Sequence, residues 1–317
     1  MSLVEKALRK MQASGAQPSV TGPAGDPVVR REPSVERREA PRPATPRSAR
    51  GPRVRVGTGK SIVVDVEAMR GVGVLPPKSE ERQLADQFRM IKRPLVEHAF
   101  QAGIDEAAEE TSPRSVIITS ALPGDGKTFT AVNLAFSLAR EKDSTVVLVD
   151  ADVAKRDVSR LFGLVDAPGL LDAITDPALA VESLICPSDF PGLSVLPAGH
   201  MSDSATELLA SARMRELMAS LTALNPHCLV VFDSPPILLT TEAPVLTSLF
   251  GQIVVVVKAG VTPQQAVLDA LRYIDPGSNV SLVLNGAADM GAPGFRAGYG
   301  HGYGYHRPPL ESENNDD

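Results

Sequence analysis

Six short apolar runs rich in Val, Ile and Leu recur along the chain from residue 115 onward, at residues 115–120, 145–150, 193–197, 228–233, 252–257 and 280–285. They are nearly continuous rather than alternating, so each reads as a strand buried on both faces. Between most of them, apolar positions return at helical spacing, as in 128–140, 206–224 and 262–274. Strands alternating with helices predict an α/β fold whose sheet is mostly parallel and covered by helices on both faces. Upstream, Leu84, Phe88, Ile91, Leu95 and Phe100 recur near helical spacing over 79–100, with a kink or interruption expected at Pro94. At the N-terminus, Leu3, Val4, Ala7, Leu8 and Met11 share one face of a short amphipathic helix over residues 1–14. A helix that short is marginal in water and needs a surface to dock on.

Composition divides the rest. Residues 15–78 are read as a disordered Pro/Arg-rich linker, its bias strongest from Gln17 to Val56, where large apolar residues are almost absent. Residues 79–290 form the folded domain, and 291–317 a flexible Gly/Tyr-rich tail with an acidic end. The 317-residue length is ample for a full core, and the 43% apolar content is ordinary for a globular protein. No apolar run approaches the roughly 18 residues that span a bilayer, and Met1-Ser2-Leu3-Val4-Glu5-Lys6 does not read as a signal peptide. Cys186 and Cys228 lie far apart and fit a reducing cytoplasm. The net charge of -6 gives no reason to expect a nucleic acid partner.

Three clusters carry chemistry. Ala121-Leu122-Pro123-Gly124-Asp125-Gly126-Lys127-Thr128 lies between a predicted strand and a predicted helix, the setting a phosphate-binding loop requires. Gly124 and Gly126 let backbone N–H groups approach phosphate, Lys127 reaches the β- and γ-phosphates, and the Thr128 hydroxyl is a Mg²⁺ ligand. The nucleotide-binding set is thus Pro123, Gly124, Asp125, Gly126, Lys127, Thr128 and Phe129. The second predicted strand ends Asp150-Ala151-Asp152, two acids able to hold a hydrated Mg²⁺ or to accept a proton; a turn with capping carboxylates is the structural alternative. An apolar strand then ends in Asp233-Ser234-Pro235-Pro236, which fits a further Mg²⁺ acid. Asn285 ends the last strand, where an adenine contact and turn formation are equal readings. Tyr299, Tyr303 and Tyr305 alternate with glycine in the tail.

Together these residues resemble the bacterial tyrosine kinases (BY-kinases) of polysaccharide synthesis and export, in particular the exosortase-associated branch, over about 80–305. The resemblance rests on the loop with Ala121 at its first position, on Asp150 and Asp152, on Asp233-Ser234-Pro235-Pro236, and on the tyrosine tail. Shorter matches to that branch are Met1-Ser2-Leu3-Val4-Glu5-Lys6-Ala7, Phe88-Arg89-Met90-Ile91-Lys92-Arg93-Pro94-Leu95 and Asp150-Ala151-Asp152-Val153-Ala154-Lys155. It implies a P-loop NTPase-type fold and an ATP- and Mg²⁺-dependent autokinase. Lys127, Asp150 and Asp152 are then catalytic, Thr128, Asp152 and Asp233 metal-holding, and Tyr299, Tyr303 and Tyr305 phosphoacceptors. Asp150 is the candidate base, a role that the sequence does not separate from that of Asp152. It also implies a homo-oligomer that phosphorylates tails in trans, through a helix bearing Asp86, Arg89 and Lys92. Expected partners are a membrane co-polymerase of the chain-length-determinant type, which recruits a cytoplasmic protein to the inner membrane face, and a tyrosine phosphatase. The chain departs from the family at Ala154, where Arg is common, and at Lys92, which lacks the bidentate fork of Arg. The rival readings are an ATPase of the partitioning or division-site type and a non-catalytic, ATP-switched scaffold. Leu122, where such ATPases carry a signature Lys, and the tyrosine tail favour the kinase.

Overall fold

The computed structural model describes residues 56–101, 111–142, 144–202, 204–240 and 243–287. The chain enters with α1 (Val66–Gly71) and α2 (Glu81–Gln101), followed by β1 (Ser115–Ser120), α3 (Lys127–Ala139) and β2 (Thr145–Asp150). Three short helices follow, α4 (Asp157–Leu161), α5 (Leu170–Thr175) and α6 (Val181–Leu184), then β3 (Cys186–Pro187) and β4 (Leu193–Leu196). Next come α7 (Ala205–Leu209), α8 (Ala212–Ala223), β5 (Cys228–Asp233) and α9 (Ala243–Thr247). The last elements are β6 (Gln252–Lys258), α10 (Gln264–Leu271) and β7 (Val280–Asn285).

The seven strands lie in the order β3-β4-β2-β5-β1-β6-β7, and every pairing is parallel except β3 with β4. The continuous apolar strands explain the two-sided core. On β2, Val147 and Val149 pack on one face with Leu170 of α5 and Met214 and Leu221 of α8. Val146 and Leu148 pack on the other with Phe88 and Leu95 of α2 and Leu134 and Leu138 of α3. Strand side chains alternate in direction, so a strand apolar at every position needs helices above and below.

The expected strands are present, and the structure adds the two-residue β3. Its shortness and antiparallel direction leave no run to recognise. Four expectations are corrected. Residues 56–78 are not linker. Gly59 N–H and Ile62 N–H donate to the Ile185 and Pro187 carbonyls, Asp189 N–H donates to the Ile62 carbonyl, and α1 buries Met69 to 1% exposure. The segment's anchors, Val56, Ile62, Met69 and Leu75, are six or seven residues apart, too sparse to form a periodic pattern. Pro94 does not interrupt α2. It lies on the solvent side next to exposed Met90, whose carbonyl loses its helical donor where water can replace it. The helix expected over 206–224 breaks in two at Ser211, whose side chain accepts from Met214 N–H at 3.2 Å and caps α8. The helix expected over 262–274 is shorter, beginning after Pro263. The expected segments 1–14 and 291–317 lie outside the described residues.

Met69 fastens α1 to the core, so Met69→Ala is expected to lower stability by about 2–5 kcal/mol in urea unfolding. A change of a few tenths would mean that residues 56–78 are not part of the cooperative unit.

Candidate functional site

The C-terminal ends of β1, β2 and β5 converge on the loop between β1 and α3. Such strand ends are where an open parallel sheet collects ligands. Gly124 and Gly126 have φ of 83° and 99°, a left-handed backbone that glycine adopts without strain. A Cβ at Gly126 would collide with the Asn285 side-chain nitrogen.

Two residues that sequence reasoning did not tie to the loop hold it. Thr262 Oγ1 donates to Asp125 Oδ1 at 2.6 Å and accepts from Lys258 N–H at 3.0 Å. Asn285 Nδ2 donates to the Asp125 carbonyl at 3.0 Å. Asp125 Oδ2 accepts from Leu122 N–H, so this loop carboxylate is 2% exposed and fully engaged. Asp125 therefore braces the loop from within. Pro123 and Gly124 are exposed, and the ring of Phe129 packs 6.4 Å from Phe88, leaving only its backbone toward the loop.

The acids gather beneath. Register sets Asp150 beside Asp233, and neither has measurable exposure. Thr128 Oγ1 donates to Asp233 Oδ2 at 2.7 Å. Lys127 Nζ lies 3.7 Å from Asp152 Oδ2, both side chains 4% exposed. Asp150 Oδ2 accepts from both the N–H and the hydroxyl of Ser159, each at 2.7 Å. The Ser159 hydroxyl accepts in turn from Ala198 N–H at 2.9 Å. Ser159 has no motif signal, because only the return of α4 against the strand end brings it to Asp150. Burial pushes Asp233 up to about 8, against the Thr128 hydrogen bond and the Lys127 charge. Burial likewise raises Asp150 to about 6, against the two Ser159 bonds. Arg160 pairs with Asp157 on the surface, and Arg156 donates to the Val165 carbonyl.

Asp150 Oδ1 and Asp233 Oδ1 are buried without a hydrogen-bond partner. Beside a phosphate loop, an open oxygen on Asp233 fits a Mg²⁺ ligand and one on Asp150 fits a proton acceptor. Among the described residues no group of three or more His, Cys, Asp or Glu could hold a metal alone. The predicted oligomerisation residues do not act alike. Arg89 pairs with Asp86 on the exposed face of α2, whereas Lys92 is 12% exposed and bonds Glu141 and the Ser137 carbonyl of its own chain. Tyr299, Tyr303 and Tyr305 lie outside the described residues.

The ParA family model, described as NUBPL iron-transfer P-loop NTPase, matches residues 112–276. The chain is 32% identical over 194 residues to tyrosine-protein kinase YwqD of Bacillus subtilis, covering 61% of this chain and 75% of that one. It is 28% identical over 262 residues to a putative tyrosine-protein kinase EpsB of Ralstonia nicotianae, covering 77% of this chain but only 34% of EpsB. The chain thus spans about a third of EpsB's length. The solved kinase domain of Escherichia coli tyrosine kinase ETK superposes with a TM-score of 0.55 at 26% identity, covering 70% of this chain and 80% of that domain.

The raised carboxyls give a signed pH dependence. Both stay protonated in the folded chain at pH values where the unfolded chain has released them, so the folded state binds more protons. Stability of the nucleotide- and Mg²⁺-free protein should therefore fall as pH rises from about 4 to about 8. Asp233→Asn should flatten this fall when urea midpoints are compared at low and high pH. An equal slope in the variant would remove Asp233 as its source.

Proposed function

The chain belongs to the bacterial tyrosine-protein kinases of the ParA-type P-loop NTPase family, and from that premise we propose that it transfers the γ-phosphoryl group of ATP to tyrosines of its own tail. The observation that carries this reading is the pair of partnerless buried oxygens, Asp150 Oδ1 and Asp233 Oδ1, next to Lys127 and Thr128. ATP lies along the N–H groups of 124–128, with Lys127 neutralising phosphate charge. Thr128, Asp152 and Asp233 are the residues to hold Mg²⁺, which when bound supplies further neutralisation of the phosphates.

A tyrosine hydroxyl, with an ordinary pKa of about 10, needs a base near neutral pH. Asp150 takes that role: burial brings it to about 6, and Ser159 occupies one oxygen while the other stays open. The tyrosine oxygen bonds to the γ-phosphorus, the bond to ADP breaks, and the phenolic proton passes to Asp150. Tyr299, Tyr303 and Tyr305 are the acceptors, and the glycines between them remove bulk from a segment entering an acidic cleft.

Transfer occurs in trans within a homo-oligomer. Because Lys92 is held within its own chain, the contact falls to Asp86 and Arg89, with Arg93 on the same exposed face of α2. Each phosphate adds about -1.5 to -2 charges, which repels the tail from the acidic site and loosens the oligomer. The cycle regulates exopolysaccharide polymerisation and export through a membrane partner of the chain-length-determinant type at the inner membrane face, and a tyrosine phosphatase resets it. Among the described residues no helix is long and apolar enough to cross a membrane.

Incubation with Mg·ATP is expected to put phosphate on Tyr299, Tyr303 and Tyr305 by mass spectrometry, and Lys127→Met to lower labelling by about 10²–10³-fold. ATP turnover without tyrosine labelling would instead favour an ATPase of the partitioning type. Arg89→Glu is expected to shift the mass distribution toward monomer. An unchanged distribution would count against α2 as the contact.

A further inference from the structure

The two edges of the sheet are treated differently. The β3 edge is covered by the chain itself, with Ile62 bridged to Ser188 and Val64 N–H donating to Asp189. The β7 edge is bare among the described residues. Natural sheets usually blunt such an edge with lysine, proline or a bulge. Strand β7 reads Val-Ser-Leu-Val-Leu-Asn, six residues without a charge or a proline.

Its hydrogen-bonding direction is fixed. Ile253 N–H donates to the Asn279 carbonyl, and Ala259 N–H to the Asn285 carbonyl. Odd-numbered residues therefore face β6, and the peptide groups of Val280, Leu282 and Leu284 turn outward. The same three residues share one side-chain face, on which Leu282 and Leu284 are 59% and 51% exposed. An open peptide ladder with leucines two residues apart is a template for one more strand that carries large side chains at alternate positions.

The chain contains one segment with that pattern. In Gly298-Tyr299-Gly300-His301-Gly302-Tyr303-Gly304-Tyr305, every second residue is aromatic and every other one is glycine. As a strand it has one wholly aromatic face and one bare face. Thirteen residues, 286–298, separate it from β7. They can span about 43 Å, whereas β7 is about 20 Å long, so the segment can return antiparallel along the same edge.

We propose that residues 299–305 dock in cis as an eighth, antiparallel strand on the β7 edge, with the tyrosine rings over Leu282 and Leu284. This goes beyond the kinase reading and does not depend on it. Glycine at alternate positions makes such a strand weak by itself, so the pairing is reversible. While docked, the tyrosines are withheld from any active site. The edge adjoins that site, since Asn285 at its end bonds the phosphate loop.

Amide hydrogen exchange on the intact chain without nucleotide tests this independently of phosphorylation. The Leu282 and Leu284 amides are expected to exchange at least about tenfold more slowly than in the Tyr299→Ser, Tyr303→Ser, Tyr305→Ser variant, with no change on dilution. Leu282→Lys with Leu284→Lys, which alters only exposed positions, should speed exchange across 299–305. Equal exchange in parent and tyrosine variant overturns the proposal. Protection that grows with protein concentration also overturns it, assigning the edge to a second copy.

Discussion

Two carboxylates at the same level of adjacent strands, Asp150 beside Asp233 with no exposure, set the terms for everything around them. Like charges in a dry interior cannot both ionise without compensation. Ser159 answers with two donors to Asp150, Thr128 with one to Asp233, and Lys127 lies against the third acid, Asp152. Each strand-end carboxyl still keeps one partnerless oxygen. The raised proton affinities express the burial in which those oxygens are left bare. A site destabilised when empty is pre-organised for its ligand.

The site depends on the sheet in a second way. Loop 121–128 is braced from β6 and β7, through Thr262 and Asn285, as well as from the acids below. The phosphate loop is therefore held from the far side of the sheet, two and three strands beyond the strand of Asp233 and one further from that of Asp150. The opposite edge carries no such duty and is closed by residues 56–64, which cover β3 and lead into α1. One edge is thus structural, and the other lies next to the chemistry.

Much of the fold was legible because its strands are apolar at every position. That pattern has few interpretations when helical periodicity fills the intervals. Loop 121–128 and the acids at 150, 152 and 233 were legible for a related reason: phosphate and metal chemistry needs particular residue types at strand ends. Ser159, Thr262 and the structured 56–78 were not. Ser159 is an ordinary residue in a five-residue helix, and it matters only because α4 folds back on β2. Lys92 shows the reverse case. The family resemblance grouped it with Asp86 and Arg89 as a contact residue, yet Glu141 and the Ser137 carbonyl hold it within its own chain.

Local pattern and short-range chemistry are enough to specify the layered α/β architecture, the phosphate-loop motif and the strand ends that carry the acids. Which oxygens stay open, which loop carboxylate serves as a brace and which sheet edge is covered emerge only once the chain has folded. Those outcomes depend on groups more than a hundred residues apart in sequence, such as Asp125 with Thr262 and Thr128 with Asp233. Hydrogen-bond satisfaction in a buried site is a property of the whole neighbourhood, and no local pattern encodes it.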